Sequence, residues 1–382
     1  MKEYSSSWIE ISKDAVLNNL EQFQKIIASG SSLMPIIKAN AYGHGLIEIA
    51  DILKNKKIWG IGVFSLDEAI EIKKKLDFKK PILILGYFSK NNSSLKFAIE
   101  NNIHFPIYNF DDLELISNIA QKIKKKAKIH LKVDVGTSRI GILEKNILSF
   151  VIRTGALKNI KIVGVFAHLA DSENKDWTFT RQQIELFKDI SQKLEKALKK
   201  PILRHLACTA ACLSDKKAHY SLIRLGIGQF GLWPSLATKQ KVLRNYPFFR
   251  LYPALTWKTR VIQVKILPKN TYIGYGCTYK TKSKTKIGIL PVGYWDGYDR
   301  KLSNRGEVLI KGKRCKVLGR VCMNMIMVDV SKIKNVKQGD EAVLLGKQGK
   351  NEVSADEISK KVRTISYEIT TRINPLIKKI VV

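Results

Sequence analysis

The sequence predicts an α/β protein in which a TIM-type (β/α)8 barrel is followed by a mainly β domain. Three observations carry that expectation. Eight short apolar runs alternate with helical patterns through about the first 230 residues, the rhythm of a parallel sheet wrapped by helices. From about Leu251 the long helical patterns stop, and period-2 runs separated by glycine and polar turns replace them. The length of 382 residues also suits two domains, or a large barrel with an appendage.

The first four predicted strands are Leu33–Lys38, Ile58–Phe64, Pro81–Leu85 and His104–Tyr108. The next four are Ile129–Asp134, Ile162–His168, Leu203–Ala207 and Leu222–Leu225. Helical patterns between them include Asp67–Leu76, Asp111–Lys126 and Thr180–Lys199. Two of these begin with paired acids, Asp67 with Glu68 and Asp111 with Asp112, where the helix dipole favours negative charge. A doubly wound open sheet is the alternative, but no GxGxxG follows the first strand. Period-2 runs at Leu255–Ile266, Lys286–Leu290, Glu307–Ile310 and Ala342–Leu345 build the second domain. The expected division is 10–244 for the barrel and 245–382 for the β domain, with residues 1–9 packing on the latter and Asn245–Tyr252 as the junction.

Composition narrows the function classes. Hydrophobic content of 45% and charged content of 26% are ordinary globular values and argue against a disordered or collagen-like chain. No apolar run approaches the length of a membrane span, and the N-terminal residues are polar, so a cytoplasmic protein with no membrane partner is expected. Five scattered cysteines make no disulfide framework and no zinc-type spacing, so no metal is expected. The net charge of +34 would attract nucleic acid non-specifically. Its lysines are dispersed in short runs, such as Lys73–Lys75 and Lys124–Lys126, with no recognition motif beside them, so no specific nucleic-acid partner is expected.

In such a barrel, polar residues at the C-terminal strand ends face the active-site mouth. Lys38, His168, His205 with Thr209, Arg224, and Lys132 with Arg139 all fall there. An apolar strand that delivers a lysine suits Schiff-base chemistry, because desolvation lowers the amine's pKa and frees its lone pair. The last two strands end in Thr209 and in Gly226-Ile227-Gly228, the region where barrels often bind phosphate. A lysine with a phosphate cup points to pyridoxal 5'-phosphate.

At this point the chain resembles the bacterial alanine racemases. The segments PIIKANAYGHG, HLKVDVGTSRIG, RLGIGQFGLWP, IGYGCTY, LPVGYWDGY, GRVCMNMIMVD and TISYEI match in order over nearly the whole length. The resemblance implies a pyridoxal-phosphate-binding barrel and β domain working as a head-to-tail homodimer with shared active sites. The implied reaction interconverts L-alanine and D-alanine, supplying D-alanine for peptidoglycan.

It also implies roles. Lys38 matches the cofactor-bearing lysine that exchanges the α-proton on the D-alanine face. Tyr275 matches the opposing base, reaching in from the second subunit. Racemisation needs proton exchange on both faces of a planar carbon, so two bases are a physical expectation. A phenol ionises well above neutrality in water, and His168 beside Arg224 resembles the network that tunes it. Arg224 matches the arginine facing the pyridine nitrogen, and His205 the residue linked to it. Tyr42, Thr209, Gly226, Ile227 and Tyr367 match the phosphate-side contacts. Arg139 and the backbone of Met323, the latter from the other subunit, match contacts to the substrate carboxylate. Lys132 matches a lysine that is carbamylated in many members, and Tyr294 an entrance residue.

Four departures stand out: Asn324 replaces an acid, Cys208 replaces an asparagine, Trp295 replaces a small residue, and Val135-Gly136-Thr137-Ser138 departs from Thr-Gly-Met-Gly. They bear on rate, substrate width and cofactor affinity. A broader racemase of the same fold, acting on serine or lysine, remains the alternative.

Overall fold

The structure, a computed structural model, describes residues 6–382; residues 1–5 of the segment expected to pack on the second domain lie outside them. After a first strand, β1 (Ser7–Ile11), come eight parallel strands: β2 (Ser32–Pro35), β3 (Ile61–Ser65), β4 (Ile82–Tyr87), β5 (Ile103–Ile107), β6 (Ala127–Lys132), β7 (Ile160–Phe166), β8 (Leu203–His205) and β9 (Leu222–Leu225). Strands β3 to β8 pair in sequence order, and β2 pairs with β9. The ring is closed at one seam by the Ile36–Gly62 bridge. At the other, the Arg224 amide donates to the Ala207 carbonyl at 3.0 Å. The (β/α)8 barrel read from the sequence is therefore the observed fold.

The strands form where the apolar runs are continuous. All five residues of β5, IHFPI, are buried, as both faces of a parallel sheet require. The helices form where burial recurs every three to four residues: Thr178–Leu198 buries Ile184, Phe187, Ile190 and Leu194 against the barrel. The helix Leu66–Lys75 starts at a capping box, in which the Ser65 hydroxyl accepts from the Glu68 amide.

The second domain alternates. In β10 (Leu255–Arg260) every second residue is buried. It is followed by β11 (Gln263–Leu267), β12 (Thr285–Leu290), β13 (Glu307–Ile310), β14 (Lys313–Leu318), β15 (Ile326–Asp329), β16 (Glu341–Gln348), β17 (Asn351–Val353) and β18 (Lys378–Val381). The sheet order is β11-β12-β15-β14-β13-β16-β10-β1-β18, with β17 paired to β16. Strand β1 lies antiparallel to β10 and parallel to β18. We propose to keep the division at 244/245 and to count β1 with the second domain. One apolar cluster runs through both parts of the chain.

The segment after β2 differs from the sequence expectation. The strand ends at Pro35, and Lys38 heads a turn, Lys38–Tyr42, in which Ala39, Asn40, Ala41 and Tyr42 all have φ between 52° and 55°. Four successive non-glycine residues in the left-handed region cost about 1–2 kcal/mol each. Bonds from outside offset that strain: Glu68 Oε1 accepts from the Ala39 amide at 2.7 Å, and Asn40 Oδ1 accepts from the Leu46 amide at 2.8 Å.

Candidate active site

A cavity of about 920 Å³ opens at the C-terminal ends of the barrel strands. It is lined by Lys38, Tyr42, Lys132, Arg139, His168, Thr209, Arg224, Gly226, Ile227 and Tyr367. These come from six separate stretches of chain: five lie at or just beyond a barrel strand end, and Tyr367 comes from the helix Ser366–Thr371. Tyr275, Tyr294 and Met323 do not join them. Tyr275 is 73% exposed, and Tyr294, Trp295 and Met323 are exposed too.

Lys38 enters the cavity from the left-handed turn. Burial lowers its amine pKa, Arg139 and Arg224 lower it further, and Glu68 opposes them. Lys132 lies on β6, and its ammonium donates to the Leu85 carbonyl at 3.1 Å. Burial, then Arg224, Arg139 and Lys38, bring its pKa to about 7. The loop after β6 is ordered by Asp134, whose Oδ1 accepts from the amides of Gly136, Thr137 and Ser138. The Thr137 hydroxyl reaches the His168 carbonyl at 2.7 Å, tying the departing segment to the cavity wall.

Arg224 is buried and its terminal nitrogens are committed. Nη1 donates to the His205 carbonyl at 2.7 Å and to His205 Nδ1 at 3.1 Å. Nη2 donates to the carbonyls of Ala167 and Leu206 at 2.6 and 2.8 Å, with His168 Nδ1 at 3.4 Å. Burial lowers its pKa to about 10, so it stays charged at neutral pH. Among the described residues its Nε–H has no partner, while its side chain lines the cavity. His168, desolvated and beside Arg224, Arg139, Lys38 and Lys132, is held neutral with a pKa of about 3.

The same cavity holds a polar cup. Thr209 Oγ1 accepts from the Gly226 amide at 2.9 Å. A Cβ on Gly226 would come within 2.9 Å of the Tyr42 hydroxyl and 3.6 Å of Thr209 Oγ1, so glycine leaves that space open. Tyr367 flanks it, donating to Glu173 Oε1 at 2.9 Å. Cys208 stands at the rim with its sulfur 3.2 Å from the Ser172 hydroxyl. The cavity thus presents a partly desolvated amine, one uncommitted guanidinium N–H and a cup of hydroxyl and amide groups, a donor set that can hold a phosphorylated heteroaromatic aldehyde.

Sequence reasoning missed Glu173, Ser172, Phe166 and two histidines, His104 and His130. His130 sits two residues before Lys132 on β6, so the strand period puts both on the inner face, which is the signal that could have found it. Glu173 sits in an irregular loop and carries no such signal.

A sequence model described as the N-terminal domain of alanine racemase matches residues 11–234, and one for the C-terminal domain matches 254–381. The alanine racemase of Methanococcus maripaludis is 37% identical over 375 residues, covering 98% of each chain. That of Leptospira interrogans is 34% identical over 386 residues, covering 100% of this chain and 97% of its own. A solved alanine racemase of Clostridium difficile superposes with a TM-score of 0.91 at 30% identity, over 100% of this chain and 97% of that one. With both domains matched in order and relatives aligned end to end, the chain belongs to the alanine racemase family.

Proposed function

We propose that this enzyme interconverts L- and D-alanine with pyridoxal 5'-phosphate held on Lys38, and so supplies D-alanine for peptidoglycan. The observation that carries the reading is the convergence, in one cavity, of Lys38, the uncommitted Nε–H of Arg224 and the Thr209–Gly226 cup. The cofactor fits that set: its aldehyde needs an amine of lowered pKa, its phosphate needs hydroxyl and amide groups, and its ring nitrogen can accept the Arg224 Nε–H. When bound, it supplies an electron sink that acidifies the α-proton of the amino acid.

The chain's own groups do the rest. Lys38 Nζ holds and moves a proton on one face of the α-carbon, which its lowered pKa allows. Arg224, permanently cationic and donating, disfavours a proton on the ring nitrogen, the opposite of a carboxylate at that position. Arg139 offers a cation to the substrate carboxylate. Lys132, at a pKa of about 7, has a large neutral fraction near pH 7. A neutral amine can add to carbon dioxide, forming an N–C bond and releasing a proton to solvent, and the resulting carbamate would pair with Arg139.

The second face needs a base from another copy of the chain. Supporting that, the exposed turns carrying Tyr294 and Met323 are joined, the Tyr294 amide donating to the Cys322 carbonyl and the Trp295 amide to the Met323 carbonyl, both at 3.0 Å, and the turn carrying Tyr275 packs on Arg320 beside them. Exposed aromatic and methionine side chains grouped this way mark an interface. A homodimer in which Tyr275 of one copy completes the cavity of the other accounts for them. Among the described residues no helix is long and apolar enough to cross a membrane, and a cytoplasmic site of action fits that.

Borohydride reduction of the pyridoxal-phosphate-loaded protein, followed by peptide mapping, tests the reading. The expected label is on Lys38; a label elsewhere, or none, overturns it.

A further inference from the structure

The barrel centre, usually filled by branched aliphatic side chains, here holds a file of imidazoles. His205 Nε2 lies 3.0 Å from His130 Nδ1, and His130 Nε2 lies 3.0 Å from His104 Nδ1. His104 Nε2 lies 3.2 Å from Asn102 Oδ1, which also accepts from the Lys128 ammonium at 2.6 Å. The file runs from Arg224 at the mouth to the opposite end of the barrel.

Both ends dictate its direction. A guanidinium only donates, so His205 Nδ1 accepts from Arg224. His205 must then donate from Nε2, His130 likewise, and His104 likewise to Asn102. At the far end an ammonium also only donates, so Asn102 presents its oxygen and calls for a donor from His104. The two constraints agree, and every imidazole is the neutral Nε2–H tautomer. A second proton on any of them would set two N–H groups against each other.

We propose that His130, His104 and Asn102 are positioning residues for Arg224: a one-way hydrogen-bond chain that fixes His205 as an acceptor and so keeps the guanidinium turned with its Nε–H toward the cavity. This rests on reading Arg224 as the donor to the cofactor ring nitrogen.

The packing is built for the chain. Trp59 meets the rings of His104 and His130 edge-on at 5.5 and 5.7 Å, and Phe166 stacks on His205 at 4.9 Å. A Cβ on Gly164 would come within 2.7 Å of His130 Nδ1, so glycine makes room for that ring. Burial keeps all three neutral, and Lys128, Lys73 and Lys161 near His104 act in the same direction.

Long-range 15N–1H spectra of histidine-labelled protein, with and without cofactor, test this; the chain has six histidines to assign. His104, His130 and His205 should each show a neutral Nε2–H ring, unchanged from pH 8 to 5.5. His104→Phe should shift the His205 ring nitrogens two links away and lower kcat about tenfold with KM for alanine little changed. His104→Gln, which keeps an acceptor and a donor, should restore most of both. An Nδ1–H or charged ring among the three in the wild-type protein overturns the proposal, as do unchanged His205 signals in folded His104→Phe. The spectra of cofactor-free protein decide the chain even if Lys38 takes no cofactor, so failure of the functional reading is seen separately.

Discussion

The Tyr367 hydroxyl donates to Glu173 Oε1 at 2.9 Å beside the polar cup, and burial raises the Glu173 pKa. An anionic phosphate arriving there would meet a carboxylate, and Tyr367 has one proton to offer. Phosphate binding should raise the Glu173 pKa further, so cofactor affinity should fall as pH rises and Glu173 ionises. Glu173→Gln removes the charge. Titration of stripped protein with pyridoxal phosphate should show affinity about three- to tenfold higher than wild type at pH 8, with a flatter pH dependence. Equal or weaker binding would contradict the repulsion.

A Cβ on Gly226 would crowd the Tyr42 hydroxyl and take up the space of the cup. Gly226→Ala should therefore weaken cofactor binding by at least about tenfold. Circular dichroism of the cofactor-free variant, read beside the binding titration, separates a filled cup from a loss of folding. A variant that binds cofactor normally would show that the cup lies elsewhere.

The proposed sharing of active sites between two copies makes a stoichiometric prediction. Lys38→Ala and Tyr275→Phe should each be nearly inactive alone. A mixed dimer holds one site with both defects and one with neither. Random reassociation of equal amounts should recover about a quarter of wild-type activity, half the dimers being mixed with one good site each. No recovery, despite mixed dimers detected by mass, would place Tyr275 outside the partner's site.

Acid should weaken the fold through its histidines. Burial holds His44 at about 4 and His104 and His168 at about 3, and it keeps His130 and His205 well below the ordinary imidazole value. In the unfolded chain these rings take up protons near pH 6.5. Their folded pKa values are depressed, so the stability they carry is complete above that pH and is lost as pH falls toward 3–4. Each contributes up to about 1.4 kcal/mol per pH unit in that window. The melting temperature of cofactor-free protein should drop clearly between pH 7.5 and 5.5; a flat profile would refute neutral burial.

Much of the fold was legible because a parallel sheet buried on both faces leaves continuous apolar runs, as at Ile103–Ile107, and because helices such as Thr178–Leu198 repeat their buried face regularly. Lys38 and Arg224 were legible as reactive groups at strand ends. The left-handed turn was not, since Ala39, Asn40, Ala41 and Tyr42 carry no glycine signal and the bond that holds Ala39 comes from Glu68, 29 residues away. Glu173 was hidden for a related reason: its meeting with Tyr367 joins positions 194 apart in the chain. The histidine file was half visible in the spacing of His130 and Lys132, but its direction depends on the Arg224 and Lys128 ends.

Strand β1 sits between β10 and β18, with Trp8 opposite Lys378 on one side and Lys258 on the other. On the ribosome, Ser7–Ile11 must therefore wait for the synthesis of Lys378–Val381 before both its edges are satisfied. The eight barrel strands are all made before β18, so the second sheet is the part of the fold that a late strand completes. Loss of Lys378–Val381 would leave β1 as an open edge, available to another chain.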